Sequence, residues 1–318
     1  MTRGTPVAAL AFLLAIGLSA PASAQLSRTF VSAATGSDAN DCDRATPCRT
    51  FQGAHDKTNP NGEITVLDPG GYGALTVTKS ISVANEGNGE ASILVSGGAT
   101  GITISAGTAG YVNLRGITIQ GIGFGGSTGL RFDSGFALTM TNCVVRNHTG
   151  NGIEFLPAVQ SSLAVSSTLV ADNGGSGMVI QPSGTTAWGV SLNRVEVYHN
   201  SVFGVFVSGA LIPGTARPGV VNVSVFESVA AHNGSAGFAA RSATGHADAV
   251  MLVVASMSSH NGGPGFLADT PLAFISVGQS SVMGNNGLAG SGAVSSYGDN
   301  YSFQNMGGNG FPGSNFKL

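Results

Sequence analysis

The sequence writes one short turn again and again. "CVVRN" ends at Asn147, "LVADN" at Asn173, "EVYHN" at Asn200, "VAAHN" at Asn233, "MSSHN" at Asn261 and "VMGNN" at Asn286. Successive intervals are 26, 27, 33, 28 and 25 residues, and "YSFQN" at Asn305 reads as a last, short copy. A period in the twenties marks a solenoid, whose repeats bury their apolar faces only against their neighbours.

Each repeat carries two strand signals. One precedes the Asn, as in "VSLNRVEV" and "VNVSVFESV"; the other begins at a Gly after the turn, as in "GIEF", "GMVI", "GVFV", "GFAA" and "GFLA". One and three residues after that Gly stand Leu130 and Phe132, Ile153 and Phe155, Met178 and Ile180, Val205 and Val207, Phe238 and Ala240, and Phe266 and Ala268. All are apolar, so they face inward with the strand period of two. Coils of short strands stacked in parallel make an all-β fold, a parallel β-helix. Asn tolerates the left-handed backbone of a sharp turn, and its amide bonds to neighbouring groups. Copies at Asn147, Asn173, Asn200, Asn233, Asn261 and Asn286 are therefore expected to stack as a ladder at one corner.

Composition agrees. Charged residues are 9% of the chain, against a usual ~25%, and Gly counts 49 of 318. With only three Lys and a net charge of -3, the chain lacks the clustered cations that nucleic acid requires. At the N-terminus, Arg3, the apolar run "VAALAFLLAIGL" and "PASAQ" read as a signal peptide over residues 1–24, cleaved after Ala24. The run is too short to prefer a membrane span, and no later segment offers one. The mature chain is expected in the periplasm or outside the cell. There, Cys42 and Cys48 in "NDCDRATPCRT" read as a local disulfide, and Cys143 in "TNCVVRN" as a buried free thiol. A capping segment is expected over 25–62, with Phe51 to Lys57 as a short helix or turn over the open end, and the β-helix over 63–318.

The stretch from Thr29 to Gly73 adds a resemblance. It holds an opening "FVSAATGSD", a Pro before "RTFQGA", then "GEITV" and "PGGYG". With the repeats, it resembles the exported members of the right-handed parallel β-helix, or pectin lyase-like, superfamily. The resemblance implies that fold for roughly residues 29–310. It leaves function open, because the superfamily holds lyases, hydrolases, epimerases, adhesins and members of no known activity.

Lyases of the superfamily use Lys or Arg to take a proton and acidic residues to hold calcium; its hydrolases use clustered Asp. Two residues after the repeat Gly the outward positions are Arg131, Glu154, Val179, Phe206, Ala239 and Leu267; four after it they are Asp133, Leu156, Gln181, Ser208, Arg241 and Asp269. Arg131, Asp133 and Glu154 form a mixed ionic patch, and Arg241 with Asp269 forms a second pair. Cross-strand charge pairs of this kind are ordinary surface features, worth roughly 0.2–1 kcal/mol each. No Lys stands between Lys79 and Lys317, and no Asp–Asp pair stands on a strand. Arg131 and Arg241 are the cations assigned to the outward columns, each with a carboxylate beside it. Asp133 with Glu154 is the pair that fits a two-carboxylate hydrolase, which needs carboxyl groups ~5–9.5 Å apart.

Other residues also bear on function. Asp38, Asp41 and Asp43 lie close enough in sequence to hold calcium, which takes six to eight oxygens, although a solvated turn is the plainer reading. No other cofactor is implied. His199, His232 and His260 each precede a repeat Asn and read as exposed turn residues rather than metal ligands. Gly121, Gly123, Gly126 and Ser127 match dinucleotide and nucleophile-elbow strings, but no helix is expected after them. The apolar outward residues Leu156, Val179, Phe206 and Leu267 suggest a contact surface, with Trp188 and Tyr198 as candidate aromatic platforms. The sequence thus favours an exported, non-catalytic β-helix that binds a polysaccharide or cell-surface partner through Arg131, Asp133 and Glu154. A polysaccharide lyase or glycoside hydrolase is the alternative, and a structural envelope or adhesin-like protein the second.

Overall fold

The structure is a computed structural model that describes residues 26–122, 125–184, 186–209 and 219–314. The expected signal peptide lies outside the described residues.

The coil that starts at Val220 shows the plan of all the others. Val220–Phe226 lies on a first face, Val229–Ala231 on a second and Phe238–Arg241 on a third. The next coil repeats it with Asp248–Val254, Met257–Ser259 and Phe266–Ala268. These strands lie parallel and in register, Val223 on Met251, Ala230 on Ser258 and Phe238 on Phe266. Among the described residues, strands of the third face form a separate nine-stranded sheet. The first and second faces merge into one sheet of 20 strands, because Ser162–Ala171 and Trp188–Tyr198 run unbroken round the corner between them. The chain is a parallel β-helix.

Its interior is filled by the alternation read from the sequence. Leu130, Phe132, Ile153, Phe155, Met178 and Ile180 are all buried, as are their counterparts up to Phe266 and Ala268. Phe132 stacks on Phe155 at 4.9 Å and Phe238 on Phe266 at 5.5 Å between ring centroids. Each such ring contributes roughly 1.5–3 kcal/mol on burial.

The corner between the second and third faces carries the amide ladder, with two corrections of register. Asn173, Asn200, Asn233 and Asn261 are buried, and each Nδ2 donates to the Oδ1 of the next at 2.9–3.0 Å. The following rung is Asn285, not Asn286: Asn261 Nδ2 donates to Asn285 Oδ1 at 2.9 Å, while Asn286 is exposed. Asn305 extends the ladder as expected, accepting from Asn285 at 2.8 Å. At the other end Asn147 is not a rung. His148 fills that place, its backbone N–H donating to Asn173 Oδ1 at 3.1 Å.

One cause explains both shifts. The left-handed residue of this corner is the one before each rung: Asn147, Asp172, His199, His232 and His260 have φ of 61, 57, 50, 57 and 54°. The turn therefore asks for its strained residue first and its ladder amide second. The repeat Gly has a different role from supplying a free backbone. A Cβ on Gly177 would lie 2.8 Å from Asn200 Nδ2, and one on Gly204 would lie 2.9 Å from Asn233 Nδ2, so only a bare Cα lets the ladder pack.

A second ladder, of hydroxyls, occupies the corner between the first and second faces. Here Arg194, Glu227, Ala255 and Gln279 take the left-handed conformation, with φ of 48–53°. The residues after Glu227, Ala255 and Gln279 are Ser228, Ser256 and Ser280. Val195 N donates to Ser228 Oγ, Ser228 N to Ser256 Oγ and Ser256 N to Ser280 Oγ at 3.0–3.1 Å.

The N-terminal end is closed as expected. Phe51–Lys57 is a short helix whose N-cap Thr50 accepts from Gly53 N at 2.9 Å, and Phe51 packs on Tyr72 at 4.8 Å. Cys42 and Cys48 are joined, and Cys143 is buried and free. The boundary at residue 63 is corrected. Leu26–Val31 already pairs in parallel with Thr58–Val66, Phe30 on Thr65, so the first rung is laid before the cap helix and the cap is threaded between two rungs.

Candidate functional site

The third face brings Arg131, Asp133 and Glu154 together, because Arg131 sits opposite Glu154 on the adjacent strand. Arg131 Nε donates to Asp133 Oδ1 at 2.8 Å, and its Nη1 lies 3.9 Å from Glu154 Oε2. The Glu154 side chain is largely buried, with 14% exposure, and its Oε1 accepts from Asn151 Nδ2 at 2.8 Å and Thr128 Oγ1 at 3.4 Å. Both carboxylates are thereby engaged, and Arg131 lies between them. An arginine paired in this way makes a poor base.

Above Glu154 the same column continues with Val179, Phe206, Ala239 and Leu267. Val179, Phe206, Leu267 and the nearby Leu156 are half-buried, whereas Ala239 is wholly buried. The far end closes on the second expected pair: Arg241 Nε donates to both oxygens of Asp269 at 3.0–3.1 Å, and its guanidinium lies 5.5 Å from the Phe203 ring centroid. Phe203 stacks on Phe206 at 5.0 Å. The face is therefore an apolar strip bracketed by two ion-paired patches.

Other expected site residues fall elsewhere. Trp188 is corrected: it is 1% exposed and donates its indole N–H to Val159 O at 2.8 Å, so it is a core residue and no platform. Tyr198 is half-buried, its phenol pushed up by burial and by Glu196. Asp38 accepts from the backbone N–H groups of Arg49 and Thr50, and Asp43 from those of Ala45 and Thr46. These two carboxylates organise separate turns, and no group of three metal-ligating side chains converges among the described residues. His199, His232 and His260 are exposed, as expected.

The second face holds what the sequence reading missed. Two neighbouring grooves of about 360 and 420 Å³ share Asn142, Val144 and Leu169. The first is lined also by Arg194 and Glu196, the second by Glu90 and Arg146. Neither arginine forms an ion pair among the described residues; Arg146 Nη2 reaches Gln120 Oε1 at 3.4 Å, and its buried Nε has no partner. The outward cations are thus not confined to Arg131 and Arg241. Outward columns counted from the repeat Gly follow the third face and pass over both arginines, and the left-handed backbone of Arg194 breaks the period of two in the middle of Trp188–Tyr198.

No protein-family profile matches the chain, and no curated protein matches it significantly. Solved structures do. The chain is similar to pectate lyase Pel9A with a TM-score of 0.62 and 14% identity, over 91% of this chain and 80% of that one. A rhamnogalacturonan lyase follows at 0.48 and 15%, over 85% and 72%. The A-module of the Azotobacter vinelandii mannuronan C-5 epimerase AlgE4 follows at 0.46 and 14%, over 81% and 91%. The likeness to Pel9A is one of fold. Among the described residues no helix is long and apolar enough to cross a membrane.

Proposed function

We propose that this right-handed parallel β-helix of pectin lyase-like fold binds a polysaccharide outside the cell, through its third face, without cleaving it. One observation carries the reading: every charged group at the Arg131 patch is already engaged, Arg131 between two carboxylates and Glu154 by Asn151 and Thr128. Such a patch offers hydroxyl-rich ligands a fixed set of donors and acceptors beside an apolar strip. It offers no free base, and a candidate base must reach its proton. Export is supported by the signal-like N-terminus and by the Cys42–Cys48 bridge, which fits an oxidising compartment.

The second reading, a polysaccharide lyase, is favoured by Arg146 and Arg194, which line the second-face grooves without a carboxylate partner among the described residues. Retention of the mature protein on a panel of immobilised glycans, pectate first, tests the binding reading. Losing charged hydrogen bonds of about 1.5–3 kcal/mol, Arg131→Ala should weaken binding roughly tenfold or more. Unaltered retention of Arg131→Ala and of Glu154→Gln would remove the third face as the site.

A further inference from the structure

Three imidazoles stand in a row on the corner between the second and third faces. His199, His232 and His260 occupy the left-handed position of three successive coils. Their ring centroids are 5.1 Å apart at both steps, with planes inclined by 29° and 6°. All three are exposed, yet their backbone is fixed by the amide ladder directly behind them. At one end Asp172 Oδ1 lies 3.8 Å from His199 Nδ1. There a groove of about 620 Å³ continues past Asp172, Thr149 and Asn147. At the other end stands Gly284, where a Cβ would come within 2.9 Å of His260 Nε2, so the row opens onto bare backbone.

The rings lie face to face, so their in-plane lone pairs run side by side and do not converge on one metal. What the row does present is a line of imidazoles, the side chain whose ordinary charge change falls between about pH 5 and 8. The groups acting on it are few. Asp172 faces His199, the imidazoles face one another, and His148 lines the same groove as Asp172 and His199. Tyr198, beside His199, bonds instead to Glu196. Partial burial, then the two flanking rings, hold His232 below the usual histidine range. Charging the row sets like charges about 5 Å apart, a repulsion that counter-charges at a similar pitch relieve.

We propose that His199, His232 and His260 form a pH-gated strip for a linear polyuronate, bound when the imidazoles are protonated and released when they are neutral. A sugar acid on every residue supplies regularly spaced carboxylates, which remain charged at about pH 5, above the usual carboxylate range. The strip lies on a different edge from the third-face patch and does not depend on it.

The test measures polygalacturonate binding to the mature protein by calorimetry at about pH 5 and about pH 7.5. A variant carrying His199→Asn, His232→Asn and His260→Asn should keep its fold, because Asn147 already holds the same left-handed position. Roughly tenfold tighter binding is expected at the lower pH, with proton uptake. The triple variant should lose that gain while melting normally at neutral pH, and Arg131→Ala should retain it. In the unmodified protein, the imidazole resonances should titrate at higher pH with polygalacturonate present. Binding that ignores pH, a pH gain that survives the triple variant, or unmoved imidazole titrations would overturn the proposal. Equal retention of polyphosphate at the lower pH would overturn the uronate assignment.

Discussion

Asn233→Ala removes one rung from the middle of the amide ladder, and its cost can be worked bond by bond. Asn233 Oδ1 accepts from Asn200 N at 3.1 Å and from Asn200 Nδ2 at 3.0 Å. Its Nδ2 donates to Asn261 Oδ1 at 3.0 Å and to Val197 O at 3.1 Å. After truncation Asn200 Nδ2 keeps Val170 O, and Asn261 Oδ1 keeps Asn233 N. The Asn200 N–H keeps nothing and is stranded in the interior. An orphaned buried donor costs about 1–3 kcal/mol and each of the two lost but compensated bonds about 0.5–1.5, which together give about 2–6 kcal/mol. Asn233 does not itself hold the left-handed conformation, so Ala brings no backbone strain to confuse the result. Asn286→Ala is the control: one residue beyond the rung at Asn285 and exposed, it should change stability by no more than about 0.5 kcal/mol. Urea denaturation followed by circular dichroism should show Asn233→Ala strongly destabilised and Asn286→Ala unchanged. Equal losses in the two variants, or no loss in Asn233→Ala, would refute the placement of the ladder and its energetic role.

Three other outcomes are expected. Gly204→Ala should destabilise by about 1–3 kcal/mol in the same assay, as overpacking does, because its Cβ would meet Gly237 O at 2.5 Å and Asn233 Nδ2 at 2.9 Å. Mass spectrometry after alkylation should find Cys42 and Cys48 joined and Cys143 unmodified until the chain unfolds, since burial both shields that thiol and pushes it up. Burial holds His148 below the usual histidine range, so the unfolded chain takes up its proton first as pH falls. Its contribution to stability is present above about pH 6.5 and is lost as the pH falls below it. Melting curves at several pH values should show His148→Asn, which offers an amide for the ladder, with less of this acid loss than the parent chain; an unaltered acid loss would count against it.

The fold was legible because it rests on repetition that the sequence states openly. The period near 25, the inward pairs such as Phe238 and Ala240, and the capping run from Phe51 to Lys57 all follow from local chemistry. The ladder was legible to within one residue. Where the turn reads His-Asn, as at His232 and Asn233, the only amide of the pair is the rung, and the assignment holds. Where it reads Asn-His at 147–148, or carries two amides in a row at 285–286 after the left-handed Gly284, the letters do not say which residue bonds. The hydroxyl ladder was hidden for a different reason: Ser228, Ser256 and Ser280 look like ordinary strand residues, and Glu227, Ala255 and Gln279 are not types that favour a left-handed backbone. Arg194 escaped the outward columns because these were counted from the repeat Gly and so follow the third face alone, whereas Arg194 lies within Trp188–Tyr198. Trp188 shows the remaining gap, since a lone tryptophan at a strand start carries no sign of which face it takes until its indole N–H finds Val159 O.

The central claim is binding without turnover, and incubation with pectate and alginate tests it most directly. The mature protein, shown to retain the polymer, is incubated with it while the ultraviolet absorbance of unsaturated products and the number of reducing ends are followed. The account predicts retention of the polymer with neither signal rising above the protein-free control. Product that accumulates with enzyme concentration and disappears in Glu154→Gln, or in Arg146→Ala, would contradict it and make the chain an enzyme.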